Sequence, residues 1–344
     1  MGKGSPHRRA LFITASDSLP PVKGDRDLLE REGFIVQYFF YKGGDPKRIL
    51  LAQTRLFLWL CRHLWNASLI FIWFADLHAF WPVVLGKFLR RKVVVVVGGY
   101  EVAREAWGYG AQHQALRRLV IRLCCRLADK VLGVSRFLRS RIRSLLKVEA
   151  DELCPAIYHI PEPPPQVQFE WDMVTVCGGH TLQRLLTKGI DFFVEVSRRM
   201  PDRKFLIIGL EGEARRWVEE RRPDNLTVTG SLRNEEVYQL LVRSRVVCQF
   251  SRYEGSAGAL GEAMAVGCIP VGLSCGGIPE RIGDAGFLID KLEVQDALQA
   301  VEKALNAPDS LREKARRRIR TLFSPEVREA KLREVLRELG IRRG

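Results

Sequence analysis

The sequence predicts an α/β protein of two domains, each a parallel sheet covered by helices. Three observations predict it. Short β-branched runs alternate with helical stretches along the chain, the pattern of repeated strand–helix–strand units. Many of these runs end in a glycine-bearing turn, as at the carboxyl edge of an open parallel sheet. Near the middle, Pro155 and then Pro161-Glu162-Pro163-Pro164-Pro165 form a stiff interruption that neither flanking element can run through. With 344 residues, 47% of them apolar, the chain can fill a core on each side of that interruption. The expected divisions are 1–165, 166–320 and a helical tail over 321–344.

In the first half, Leu11 to Thr14 reads as a strand. A loop from Ala15 to Gly24, a short helix from Asp25 to Arg31 and a strand from Ile35 to Phe40 complete a βαβ opening. Arg48 to Trp65 is a very apolar helix; its apolar residues run nearly all round, so periodicity leaves open whether the outer part is core or faces a membrane, with core preferred. Leu69 to Phe74 is a third strand with Asp76 and His78 beyond its carboxyl end, and a helix from Phe80 to Leu89 follows. Val93 to Val97 suits the buried centre of a parallel sheet and runs into Gly98-Gly99-Tyr100-Glu101. Ala115 to Ala128 is a basic helix whose stripe of Leu116, Leu119, Val120, Leu123 and Leu127 is expected to face inward.

In the second half, Met173 to Cys177 opens a new sheet and ends at Gly178-Gly179-His180. A loop reaches Thr187-Lys188-Gly189, and Phe192 to Arg199 is a helix. Strands at 205–209 and 226–230 and a helix at 235–243 lead to the most informative stretch, Ser251 to Asp290. The strand Val246 to Phe250 enters a loop with Glu254, Gly255 and Gly258, then a small-residue helix from Ala259 to Val266 that carries Glu262. The strand Ile269 to Leu273 and a second glycine turn, Ser274 to Gly277, close the stretch. A loop that opens a helix offers unpaired N–H groups and the positive end of the helix dipole, a setting for phosphate. Two carboxylates on either side of it, Glu254 and Glu262, can accept hydrogen bonds from sugar hydroxyls. By spacing alone they also fit two solvated glutamates beside a turn.

The run SRYEGSAGALGEAMAVGCIPVGLSCGGIPE resembles the donor-binding signature of the family 4 glycosyltransferases, with Glu254-Gly255, Glu262 to Ala265, Gly267 to Val271 and Gly276 to Glu280 in register. The resemblance implies a GT-B fold, two Rossmann-like domains facing across a cleft, and a retaining enzyme that uses a nucleotide sugar. It implies that Glu254 contacts the transferred sugar, Glu262 the ribose, and Lys188 with Arg184 the diphosphate. The backbone of Gly255, Ser256, Gly258 and Ala259 would lie along the donor, and Gly179 and His180 would border it. On the acceptor side it implies roles for Gly24, for Gly99 and for Glu101, where the family usually has an aspartate. Ala257 stands where many relatives have glycine. The resemblance implies no enzyme nucleophile, no metal and no cofactor beyond the donor substrate. Two rivals remain: a GT-B nucleotide-sugar epimerase, which needs no acceptor, and a non-catalytic glycosyltransferase-like scaffold.

The net charge of +15 is uneven: residues 1–165 carry +12 and residues 166–344 carry +3. The Arg117 to Lys147 stretch holds ten Lys and Arg and one acid, Asp129. That is either a solvated surface or a face for anionic lipid headgroups. Aromatics do not alternate with the basic residues as nucleic-acid stacking requires, so lipid ranks above nucleic acid. A lipid-linked or phosphorylated glycan acceptor is therefore expected. Eight scattered cysteines without a CxxC read as reduced thiols, and neither a signal peptide nor a spanning apolar run is evident. Together these predict a cytoplasmic protein, peripheral on the inner face of the cytoplasmic membrane.

Overall fold

The protein is described by a computed structural model that covers residues 8–17, 19–158 and 167–341. The chain forms two units, residues 1–156 with 325–344, and residues 157–324. The first division falls between Ala156 and Ile157, ahead of the expected position at 165, and the second between Ser324 and Pro325. Pro161 to Pro165 lies outside the described residues.

In the first unit, β1 (Arg8–Thr14), β2 (Phe34–Phe40), β3 (Ala67–Trp73), β4 (Lys92–Val97), β5 (Lys130–Gly133) and β6 (Asp151–Glu152) form one sheet in the order β2-β1-β3-β4-β5-β6. All the pairings are parallel. Val93 to Val97 are wholly buried, as a strand flanked on both edges and covered on both faces must be. Four helices, Pro46–His63, Phe80–Phe88, Ala115–Leu127 and Arg136–Leu146, each carry the chain the same way across the sheet. Right-handed crossovers then place all four on one face, and each packs on the next. Helix Pro20–Arg31 crosses in the opposite sense and lies on the other face, against the last helix, Pro325–Glu338.

A buried ion pair fastens that last helix. Arg328 Nε and Nη2 donate to the two oxygens of Asp25 at 2.7 and 2.6 Å, and Trp73 Nε1 donates to the same carboxylate at 2.9 Å. Both charged side chains are 1% exposed. The remaining guanidinium donor, Nη1, reaches the carbonyls of Leu153 and Cys154, so desolvation is met by hydrogen bonds on every side.

The second unit contains β7 (Trp171–Gly179), β8 (Phe205–Leu210), β9 (Leu226–Val228), β10 (Ser244–Gln249), β11 (Ile269–Leu273) and β12 (Phe287–Ile289). They pair in parallel in the order β12-β11-β10-β7-β8-β9. Counted from β7, this is the 3-2-1-4-5-6 order of a dinucleotide-binding sheet, read from the other edge. Its direction reverses between β7 and β10, and ligands of such sheets bind beyond the strand ends at that switch point.

Several expectations are corrected. The first helix begins at Pro20, five residues early, because Pro20 and Pro21 sit where a helix has no use for their missing N–H groups. Gly24 is therefore helical and cannot offer loop backbone to a substrate. Leu182–Thr187 is a helix where a loop was expected. On Ala115–Leu127 the inward residues are Val120, Ile121, Cys124 and Cys125, while Leu116 and Leu119 are each 66% exposed. On Pro46–His63 only Leu56 and Leu60 are buried, and Leu50, Leu51 and Leu58 are exposed, against the preference for core.

Candidate functional site

The site is built where three strand-end loops of the second unit meet. The chain leaves β7 at Gly179 and His180, and Thr181 Oγ1 caps the helix Leu182–Thr187 by accepting from Arg184 N–H at 3.2 Å. Lys188 closes that helix. Gly189 follows at φ +68°, where an added Cβ would lie 2.0 Å from the Phe250 carbonyl oxygen. Only glycine lets the β7 loop approach the end of β10 this closely. The approach is locked by Arg252, which donates two parallel bonds of 2.7 Å to Asp191, while its N–H reaches the Thr187 carbonyl at 2.9 Å.

This stitching brings Lys188 to Glu254. Their side chains form an ion pair and are 13% and 12% exposed. Glu254 also accepts from Ala257 N–H at 3.3 Å and from Ser251 Oγ at 3.4 Å. Burial pushes the Glu254 carboxyl up, but the charge and hydrogen bond of Lys188, with the charge of Arg184 behind them, outweigh it and hold the group below the usual carboxylate range. Arg184 Nε donates to the Gly178 carbonyl at 3.3 Å, and its side chain lies over Gly179, where an added Cβ would sit 2.6 Å from Arg184 Cγ. Gly179 is thus what admits the second cation.

The third loop, after β11, supports the second from behind. Gly277 N–H donates to the Glu254 carbonyl at 3.0 Å, and Gly276, at φ +61°, leaves no room for a Cβ, which would fall 2.0 Å from that carbonyl oxygen. Arg281, 1% exposed, donates through Nε and Nη2 to the Ser256 carbonyl at 3.1 and 2.9 Å and stacks on Phe323 at 4.0 Å. Helix Gly258–Ala265 starts immediately beyond. Its N-cap, Ala257, has no side-chain oxygen to cap the first-turn amides, and the space in front of Gly258 is open. Uncapped amides and the helix dipole make that end receptive to an anion. Gly255, Ser256 and Ala259, all half-buried, line the same turn.

Glu262 lies one turn inside the helix, in surroundings of its own. Burial raises its carboxyl, and the charge of Arg281 opposes the shift. Tyr238 is its neighbour: burial and the Glu262 charge both raise the phenol, whose hydroxyl donates to the Tyr158 carbonyl at 3.3 Å. His180 stands at the rim, largely exposed, with Nδ1 3.2 Å from Glu211. The structure thus gathers Lys188, Arg184 and Glu254 into one charged group beside the helix opening. Glu262 is held apart, with Arg281 and Tyr238.

In the first unit, Glu101 is not placed for acid–base work. It is 2% exposed, and its oxygens accept from Gly98, Gly99 and Ala75 N–H at 3.0, 2.8 and 3.2 Å. Burial raises the carboxyl and the amide bonds partly offset that. It braces the turn after β4 to the end of β3, with Gly99 at φ +137° inside the brace. His78, also buried, shares a hydrogen bond with the Trp73 carbonyl at 2.9 Å and stacks on Tyr41 at 5.2 Å.

Sequence reasoning passed over Arg252, Asp191, Arg281 and Tyr238. The first three are ordinary charged residues beside glycine turns, and pairings across 61 and 25 residues leave no local pattern. Tyr238 carries no motif at all.

Residues 174–307 match the family model described as Glycosyl transferases group 1. Over 172 residues the chain is 27% identical to a phosphatidylinositol N-acetylglucosaminyltransferase subunit of Arabidopsis thaliana. That match spans 47% of this chain and 38% of the length of the relative. Among solved structures, sucrose-phosphate synthase from Thermosynechococcus elongatus superposes with a TM-score of 0.78 at 17% identity, covering 97% of this chain and 99% of the other. Anabaena HepE, in complex with UDP and glucose, superposes with a TM-score of 0.72 at 13% identity over 96% and 100% of the two chains. The chain therefore has the GT-B glycosyltransferase fold along its length.

Proposed function

We propose that this chain is a retaining glycosyltransferase that moves a sugar from a nucleoside-diphosphate sugar to an acceptor hydroxyl. The observation that carries the reading is the Lys188–Arg184–Glu254 group beside the uncapped start of helix Gly258–Ala265, at the switch point of the second sheet. Two cations and a row of free amides suit a diphosphate whose charge grows as it leaves. Glu262 with Tyr238 suits the ribose side of the nucleotide, because a half-buried carboxylate gains most from hydroxyl donors. The family match, and the binding of UDP with glucose by the similarly folded HepE, favour a uridine diphosphate sugar as donor.

In the reaction, the bond from the sugar's anomeric carbon to the β-phosphate oxygen breaks and a bond to the acceptor oxygen forms on the same face. The acceptor proton passes to the departing phosphate, so the products are the glycoside and the nucleoside diphosphate. Glu254 is held ionised in its ion pair and serves to orient the sugar; the route needs no enzyme nucleophile and no cofactor beyond the donor. Lys188 and Arg184 offset the developing charge. The basic excess of residues 1–165 favours a lipid-linked or phosphorylated acceptor at an anionic membrane surface, such as the inner face of the cytoplasmic membrane. No helix among the described residues is long and apolar enough to cross a membrane.

The test is a melting panel with UDP, GDP, ADP and TDP. At a hundred times its Kd the true ligand stabilises by about 2.7 kcal/mol. UDP is expected to raise the melting point, and no response to any of the four would overturn the reading. Incubation with one UDP-sugar and no acceptor separates transfer from epimerisation, since an epimerase would convert the donor unaided.

A further inference from the structure

The exposed leucines that contradict the sequence reading are clustered on one side of the first unit. The four helices that share a face of the first sheet, Pro46–His63, Phe80–Phe88, Ala115–Leu127 and Arg136–Leu146, carry thirteen Lys and Arg and not one Asp or Glu. The two helices of the other face are balanced: Pro20–Arg31 has three basic and three acidic residues, and Pro325–Glu338 has four of each. A charge excess confined to one face of one sheet is not a general solubility device.

Helix Ala115–Leu127 has three distinct sides. Val120, Ile121, Cys124 and Cys125 pack inward. Leu116, Leu119, Leu123 and Leu127 form an exposed apolar stripe. Beside it runs a second exposed stripe, Arg118, Arg122 and Arg126, four residues apart, with no acidic partner among the described residues. On the layer's far side, Leu51, Leu58 and Trp65 alternate with exposed Arg55 and Arg62, and Phe88, between the two, is 82% exposed. Leucine and arginine side by side on helices lying flat against a sheet suit an interface in which hydrocarbon begins directly beneath a layer of negative headgroups.

We infer that this helical layer docks on an anionic lipid bilayer, with Leu116, Leu119 and Leu123 entering the acyl boundary and Arg118, Arg122 and Arg126 meeting the headgroups. The inference deepens the membrane-surface part of the function proposed above and is independent of how the sugar is transferred. Charge complementarity selects the occupant. Among the described residues, six of the thirteen basic residues meet acids outside these helices, but a second copy would still set Arg118, Arg122 and Arg126 against like charges, and a nucleic acid would pair the arginines but gain nothing from the leucines.

The test is flotation of the full chain with vesicles of equal parts phosphatidylcholine and phosphatidylglycerol, and with phosphatidylcholine alone. The wild type is expected to float with the mixed vesicles and not with the neutral ones. Replacing Arg118, Arg122 and Arg126 by Gln should weaken partition about a hundredfold, roughly fivefold per charge. Replacing Leu116, Leu119 and Leu123 by Gln should abolish flotation, at about tenfold or more per side chain. Lys23→Gln with Arg337→Gln, exposed on the opposite face, should leave it unchanged. A wild type that stays in the soluble fraction, a leucine variant that floats like wild type, or a control variant that falls as far as the arginine variant would each overturn the inference. UDP binding, measured on every variant, tests the transferase reading separately, and chemical denaturation of each variant reports whether the first unit is folded: loss of flotation with the first unit's unfolding transition intact bears on docking alone.

Discussion

Replacing Lys188 by Met tests whether the cation and Glu254 act as a pair. Both side chains are about one-eighth exposed, at 13% and 12%, so neither charge is screened by bulk water. Removing one member of a buried, hydrogen-bonded pair costs about 3–5 kcal/mol. Arg184 and the Ala257 amide still face Glu254, which brings the expected cost to or just below the lower end of that range, at about 2–3 kcal/mol. For a unit of this size that is a fall in Tm of about 5–10 °C in the transition that UDP stabilises. The pH dependence should change sign. In the wild type the folded pKa of Glu254 lies below its unfolded value, so its contribution is fully present above the unfolded pKa and is lost as pH falls through the folded one. Burial is the largest single influence on Glu254; without Lys188 only the weaker effects of Arg184 and the Ala257 amide oppose it, and the folded pKa is expected to rise above the unfolded value. The penalty is then greatest near neutrality and shrinks as the pH falls through that raised pKa. Melting curves from about pH 4.5 to 8 on both proteins decide the matter. A deficit that is constant across pH, or that grows toward acid, would refute the pairing. Transfer in K188M should fall about 10²–10³-fold if the cation also meets the leaving diphosphate.

Two further substitutions probe other elements. Ala257 sits at φ 52° and ψ 53°, a left-handed conformation that costs an L-residue about 1–2 kcal/mol, so Ala257→Gly should stabilise by about 0.5–1 kcal/mol net of the glycine's chain entropy, read as a higher Tm. Arg328→Met strands the Asp25 carboxylate, which is 1% exposed and keeps the Trp73 indole N–H, and should cost the first unit about 3–5 kcal/mol in chemical denaturation while leaving UDP affinity unchanged.

The fold was legible because its signals are local. A β-branched run such as Val93 to Val97 can be satisfied in few ways, and each glycine turn marks a strand end. Errors fell where two local signals compete. Pro20-Pro21 reads as a loop by composition and as a helix start by backbone geometry, and the geometry prevails. The first glutamate of the signature, Glu254, the two cations and the glycine loops were readable as a set because they are close in sequence to strand ends, whereas Glu262 is held apart from them. Glu101 was misread because residue type and place are the same for a catalytic acid and for a brace; what separates them is the three backbone amides that converge on its oxygens.

The leucine stripe on helix Ala115–Leu127 exposes a limit of periodicity. Leucines at 116, 119, 123 and 127 define one apolar side, and a helix on a sheet ordinarily turns such a side inward. Here that helix also has Val120, Ile121, Cys124 and Cys125, three of them smaller than leucine, and these pack against the neighbouring elements. A helix with two apolar sides must leave one outward, and packing space selects the compact one for the core. What remains is an outward apolar side adjoining three arginines that meet no acidic partner among the described residues, on a face of the sheet that carries no acidic helix residue. Apolar area exposed in that setting lowers solubility unless something covers it. A layer that is both apolar and cationic points to the one surface that offers hydrocarbon and negative charge together, and this is why docking, rather than core packing, is the consistent account of those leucines.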